Sequence, residues 1–228
     1  MPRFSALKTS VIRCLTAVAL CLVFAGAAAR DAPVLLVLGD SLSAAYGMPL
    51  SRGWVSLLEQ RLRDANRPWR VVNASISGDT TSGALKRLPK LLDLHAPEVV
   101  IIELGGNDGL QGKPLDTIAS NLQGLIGVVR GAGAQPALVR MRIPPNYGRY
   151  YTGEFERLYE QIAVREEVPL LRFDLEGLAS AEGMMQEDGI HPAPEAQARM
   201  LDSLWPDLNA RLLSLERDRQ SRKQSPGS

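Results

Sequence analysis

Five short apolar or β-branched runs recur along the chain: Val34 to Leu38, Arg70 to Asn73, Glu98 to Leu104, Ala137 to Met141 and Pro169 to Phe173. Each is too short for a buried helix and sits beside turn residues, which favours strands. Between them the apolar residues switch to helical spacing: Trp54, Leu57, Leu58 and Leu62; Leu85, Leu88 and Leu92; Ile118, Leu122, Leu125 and Val129; Phe155, Leu158, Tyr159 and Ile162. A last helix starts near Pro194, a favoured first-turn residue, and places Leu201, Leu204, Leu208 and Leu212 on one side. Pro89 is expected to kink or shorten its helix, and Pro206 marks a place where the last one could break. Strands alternating with helices imply a parallel sheet covered on both faces, because each return must pass over a face. The expected class is therefore a doubly wound α/β domain, in which ligands bind beyond the carboxyl ends of the strands.

The two ends of the chain read differently from this middle. Arg3, Lys8 and Arg13 precede an apolar run from Cys14 through Phe24, which closes in the small residues Ala27-Ala28-Ala29. That is the layout of a secretory signal peptide, short for a membrane span, and cleavage is expected after Ala29. Both cysteines fall inside residues 1–29, so a cleaved chain carries no thiol, disulfide or cysteine metal ligand. Three of the 26 lysines and arginines also lie there and none of the 25 acids does, so the remainder is slightly acidic, without a basic footprint for nucleic acid. Residues 30–214 suffice for one medium domain, and residues 215–228 (LERDRQSRKQSPGS) are polar enough to be read as a disordered tail.

The strand ends carry the chemistry. Gly39-Asp40-Ser41-Leu42-Ser43 follows the first, Ala74-Ser75-Ile76-Ser77-Gly78-Asp79 the second and Gly105-Gly106-Asn107-Asp108-Gly109 the third; Asp188-Gly189-Ile190-His191-Pro192 stands near the end of the chain. Of two histidines, His95 sits where a helix should end and suits the negative end of its dipole. His191 has Asp188 three residues before it across a Gly-containing turn, close enough to take the Nδ1 hydrogen and leave Nε2 free as a base. A serine hydroxyl needs such a base because it is almost wholly protonated at neutral pH. Ser41, directly after Gly39-Asp40, is the expected nucleophile, and Ser43 a turn or helix-start residue. Its N–H, the N–H of Gly78 and the side-chain amide of Asn107 form the expected oxyanion hole. Asp40 and Asp108 are expected to hold turns by hydrogen bonds, and Leu110 and Tyr147 are candidates for an acyl groove.

The blocks GDSLS, Ser77-Gly78-Asp79, GGND and DGIHP, in this order, resemble the SGNH (GDSL) hydrolases. VVNASISGDT, ELGGNDGL and the RIPPNYG segment from Arg142 are similar to that family's secreted thioesterase I, lysophospholipase and arylesterase branch. The resemblance implies a flavodoxin-like three-layer α/β/α fold with a five-stranded parallel sheet, a Ser41, His191 and Asp188 triad, and a periplasmic or secreted enzyme. It implies hydrolysis of acyl thioesters, aryl esters and lysophospholipids without cofactor or metal. Ala45 departs from the pattern, where the family often has Gly, and bears on that loop's dihedral angles.

Other classes remain to be weighed. An α/β-hydrolase needs a G-x-S-x-G elbow, which does not occur, and a metal hydrolase lacks ligands. A carbohydrate O-acetyl esterase would use the same triad, and a flavodoxin-like ligand-binding protein would use the loop from Gly39 to Ala44 as a phosphate cradle. The expected partner is a small acyl ester or thioester met by a monomer, with no nucleic acid and no membrane anchor after signal cleavage.

Overall fold

The structure, a computed structural model, describes residues 32–224, so the expected signal segment, 1–29, lies outside the described residues. Five strands, β1 (Val34–Gly39), β2 (Arg70–Asn73), β3 (Val99–Glu103), β4 (Gln135–Arg140) and β5 (Leu170–Arg172), form one sheet in the order β2-β1-β3-β4-β5. Every neighbouring pair is parallel. This is the parallel α/β architecture expected from the alternating pattern, with the five strands that the family resemblance implies. The inner strands β1 and β3 are buried along their whole length, as a parallel strand covered on both faces must be, whereas the edge strand β2 is only half-buried.

Seven helices complete the layers among the described residues: α1 (Trp54–Asp64), α2 (Thr81–His95), α3 (Gly106–Leu110), α4 (Leu115–Gly131), α5 (Arg149–Arg165), α6 (Leu175–Ala179) and α7 (Gln197–Gln224). Helices α1 and α7 pack together on one face of the sheet, and α2, α4 and α5 on the other. The apolar stripes read from the sequence supply the contacts: Trp54, Leu58 and Leu62 of α1 and Leu201, Leu204, Leu208 and Leu212 of α7 are buried, as are Leu122, Leu125, Phe155 and Tyr159 opposite. Burying one such Leu or Phe side chain contributes roughly 1.5 to 3 kcal/mol. No described helix is long and apolar enough to cross a membrane.

Three local expectations are corrected. Helix α2 is not shortened at Pro89 and α7 is not broken at Pro206; both prolines are exposed, where the carbonyl that loses its partner can be hydrated. The segment from Leu215, expected to fray, is helical to Gln224. Leu215 is buried, Glu216 accepts from Arg67 Nε at 2.7 Å and from Trp69 Nε1 at 2.6 Å, and Arg219 donates to Glu98 at 2.6 Å while lying over the Trp69 ring. The polar residues thus belong to a strap across the amino-terminal edge of the sheet, and a polar sequence of this kind needs tertiary partners to be helical.

Gly105, between β3 and α3, has φ 108°, and a Cβ there would lie 2.1 Å from the Tyr159 hydroxyl, which donates to the Leu104 carbonyl. Gly105→Ala is therefore expected to lower stability by roughly 2 to 4 kcal/mol, from a forbidden dihedral plus overpacking, and urea denaturation measures it. A loss below about 0.5 kcal/mol would refute this packing argument.

Candidate active site

The turn after β1 is wound tightly by its own backbone: Ala44 N donates to Asp40 O at 2.9 Å and Tyr46 N to Ser41 O at 3.2 Å. Asp40 closes the start of the turn by accepting from Leu42 N at 3.1 Å, as Asp commonly does two residues before an amide. The N–H of Ser41 is left without a protein acceptor among the described residues. Ala45, a departure from the family pattern, holds φ 57° and is buried, a strained left-handed alanine within the Ser41 turn.

His191 stands on a separate loop, whose ends are joined by an antiparallel bridge between Met185 and Pro192. Gln186 N donates to His191 O at 2.8 Å, and Gly189, at φ 66°, lets the chain reverse between them. Asp188 Oδ1 accepts the N–H of Ile190 at 2.9 Å and of His191 at 3.0 Å, and its Oδ2 lies 2.6 Å from His191 Nδ1. These bonds, led by the backbone N–H and then the imidazole of His191, hold the Asp188 carboxyl at about 2, below its ordinary 3.8. An ionised Asp188 has no hydrogen to give, so Nδ1 carries the imidazole hydrogen. Nε2 is then an acceptor, and it lies 2.8 Å from Ser41 Oγ, 150 residues away in the chain. The Tyr46 ring stacks beside the imidazole with centroids 4.4 Å apart.

Asn107, in the short helix α3, lines the same cleft as Ser41 and His191. Both of its amide hydrogens are already engaged, one by Asp40 Oδ2 at 3.0 Å and one by Asp79 O at 2.9 Å. Gly78 sits in the turn before Asp79 with φ 78°; a Cβ there would meet nothing, and its N–H finds no protein acceptor among the described residues. Asp108 reaches further than its own loop: it accepts from Thr81 N and Thr81 Oγ1 at the start of α2 and from Lys113. His95 is the last residue of α2, away from the cleft, and Ser43 is a buried turn residue.

The cleft has a volume of about 560 Å³. Leu110, Met141, Ile143, Leu175, Met185 and Ile190 give it apolar walls, while Arg142, paired with Glu156 at 2.9 Å and with Glu176, makes one part of its lining charged. Of the two groove candidates, Leu110 lines the cleft. Tyr147 does not; its hydroxyl braces the Leu110 carbonyl at 2.9 Å. Among the described residues no group of His, Cys, Asp or Glu is disposed to hold a metal ion.

Two supporting residues escaped the sequence reading. Gln186 ties the His191 loop to the Ser41 loop by donating to Tyr46 O at 2.9 Å and to Pro192 O at 3.1 Å, and nothing in its sequence context marks it. Glu103 is buried under the Ser41 turn; the signal was available, since it is the one charged residue in the otherwise apolar strand VVIIE.

Residues 37–199 match the model of the GDSL-like Lipase/Acylhydrolase family. The chain is 50% identical over 177 residues to "Esterase TesA" of Pseudomonas aeruginosa, covering 78% of this chain and 88% of that one. It is 44% identical over 174 residues to "Thioesterase 1/protease 1/lysophospholipase L1" of Escherichia coli K12, covering 76% and 82%. Its fold superposes with a TM-score of 0.76 on the crystal structure of the psychrotrophic esterase EstA from Pseudoalteromonas inhibited by monoethylphosphonate, at 39% identity and with 78% and 98% of the two chains covered.

The bonds to Asp188 carry a pH signature. Its folded value, about 2, lies below the unfolded 3.8, so it contributes stability that is present above the unfolded value and lost as pH falls through the folded one. The difference in Tm between the wild type and Asp188→Asn is therefore expected to shrink between about pH 4 and pH 2, as calorimetry would record. A difference that stays constant across that window contradicts the assigned bonds.

Proposed function

The chain belongs to the GDSL-like lipase/acylhydrolase family, the SGNH hydrolases, and is a carboxylic-ester hydrolase; on that premise we propose that it moves acyl groups from esters and thioesters to water through a covalent intermediate on Ser41. The observation that carries this reading is the chain of contacts from Asp188 to His191 to Ser41, at 2.6 Å and 2.8 Å. As Ser41 Oγ attacks the acyl carbon, its proton passes to His191 Nε2, and Asp188 stabilises the imidazolium. The bond to the leaving oxygen or sulfur then breaks, and His191 returns the proton to that atom. Water, deprotonated by the same nitrogen, releases the acid and regenerates the serine. No step calls for a metal or cofactor.

The oxyanion is met by the N–H groups of Ser41 and Gly78, which have no acceptor of their own among the described residues. Asn107 joins them by sharing a hydrogen that Asp79 O or Asp40 accepts in the free enzyme. Each such donor supplies roughly 3 to 4 kcal/mol in the transition state.

The acyl chain lies along Leu110, Met141 and Ile143, whose apolar faces favour hydrocarbon over a sugar ring. Thioesters, aryl esters and lysophospholipids are accordingly the substrate classes in view, the first and last in keeping with the names of the relatives. A p-nitrophenyl ester series tests the reading: kcat/KM should climb by up to about fourfold per added methylene until the cleft is filled, and Ser41→Ala should lower kcat by roughly 10³-fold or more. An optimum at acetate would favour an O-acetyl esterase, and wild-type turnover by Ser41→Ala would remove the mechanism.

Residues 1–29 fit a signal that directs the enzyme to the periplasm or outside the cell and is then removed. A mature amino terminus at Arg30, read by mass spectrometry of the exported protein, is the expected outcome. Retention of Met1 in the exported protein would contradict it.

A further inference from the structure

Glu103 is a carboxyl group where a parallel sheet ordinarily places an apolar residue. It ends β3 in register with Gly39 of β1 and is wholly removed from solvent. Its Oε2 accepts the Ser43 hydroxyl at 2.6 Å and the Asp40 N–H at 3.3 Å, and its Oε1 is buried without a hydrogen-bond partner among the described residues. Gly39 permits the approach, since a Cβ there would lie 2.6 Å from Oε2.

Beside it Asp40 is 2% exposed, with Oδ1 on Leu42 N and Oδ2 on Asn107 Nδ2. Two carboxyls therefore lie together beneath the Ser41 turn. The nearby cations are already engaged elsewhere: Arg87 pairs with Asp79 at 2.7 Å, and Lys113 with Asp108 at 2.9 Å. Of the other groups facing this region, His191 is held by Asp188, and Tyr159, reaching in from α5, donates to Leu104 O. Among the described residues neither Asp40 nor Glu103 has an ion-pair partner.

Two like charges in such a place cannot both persist, because burial and mutual repulsion each favour a neutral form. We propose that Asp40 and Glu103 hold one proton between them at neutral pH, carried on Glu103 while Asp40 keeps the charge, and that this pair positions the Ser41 turn and the Asn107 amide. The unpartnered Oε1 supports the assignment: on a carboxylate it would be an unsolvated charged oxygen, which a neutral acid avoids. Burial, followed by the charge of Asp40, pushes Glu103 well above the usual carboxylate range, while burial raises Asp40 to about 6. As an acid, Glu103 anchors the backbone of the turn through Asp40 N–H and Ser43, and Asp40 remains the acceptor that orients Asn107. One proton fewer would set a second negative charge behind the forming oxyanion, so the loss falls on the alkaline side.

The inference about Asn107 rests on the proposed reaction, but the shared proton does not, which keeps the two tests apart. Infrared difference spectroscopy on H₂O/D₂O exchange at pH 7 should reveal a buried protonated-carboxyl band in the wild type and in Ser41→Ala, and none in Glu103→Gln. With p-nitrophenyl esters, Glu103→Ala should lower kcat at least about tenfold with KM within about twofold, whereas Glu103→Gln, a neutral group of the same shape, should restore kcat to within about fivefold of wild type. Absence of the band from the wild type, its survival in Glu103→Gln, or a loss in Glu103→Gln as deep as in Glu103→Ala would overturn the proposal. Should Glu103→Ala fail to fold, the band and the glutamine variant still decide it.

Discussion

All five strands run in one direction, and the chemistry of the molecule depends on that constraint. A parallel sheet delivers every carboxyl end to the same edge, so the loops after β1, β2 and β3 meet there although they are far apart in the chain. The loop bearing His191 comes to that edge after β5, and the 2.8 Å contact with Ser41 joins its last contributor to its first. The central strands can occupy this place only because they are apolar on both faces, and the helices on each side supply the cover.

Polar burial is concentrated at the same edge. The buried polar side chains among the described residues are Asp40, Ser43, Thr81, Glu103, Asp108 and Gln197. Asp40, Ser43 and Glu103 fix the Ser41 turn; Thr81 and Asp108 join the start of α2 to the Asn107 loop; Gln197 accepts from Trp54 N and donates to the carbonyls of Pro192 and Ala193, just past His191. Each would cost a few kcal/mol if left unpaired in that environment, so their placement restricts the loops to a narrow set of conformations. The strained left-handed Ala45 belongs to the same economy: a local cost is tolerated where neighbouring contacts fix the backbone.

Most of this edge is legible in the sequence because its parts are local. Alternating strand and helix patterns disclose the parallel sheet, and Gly39-Asp40-Ser41 or Asp188-x-x-His191 each places two interacting groups within one turn. The features that were not legible depend on partners distant in sequence. Gln186 gains its meaning from Tyr46, which lies 140 residues earlier, and the helix beyond Leu215 from Arg67, Trp69 and Glu98. Likewise, the engagement of both Asn107 hydrogens requires knowing where Asp40 and Asp79 end up. Glu103 was visible as an oddity in its strand, but its role needs the register with Gly39.

Ser41 Oγ is the proposed acceptor of the acyl group, and a covalent trap examines that without reference to any preferred substrate. The enzyme is incubated with an alkyl fluorophosphonate, its intact mass is measured, and the modified peptide is sequenced by tandem mass spectrometry. One adduct per chain on Ser41, absent from a folded Ser41→Ala variant, is the predicted result. Labelling at Ser43 or Ser77 instead, or undiminished labelling of Ser41→Ala, would contradict it.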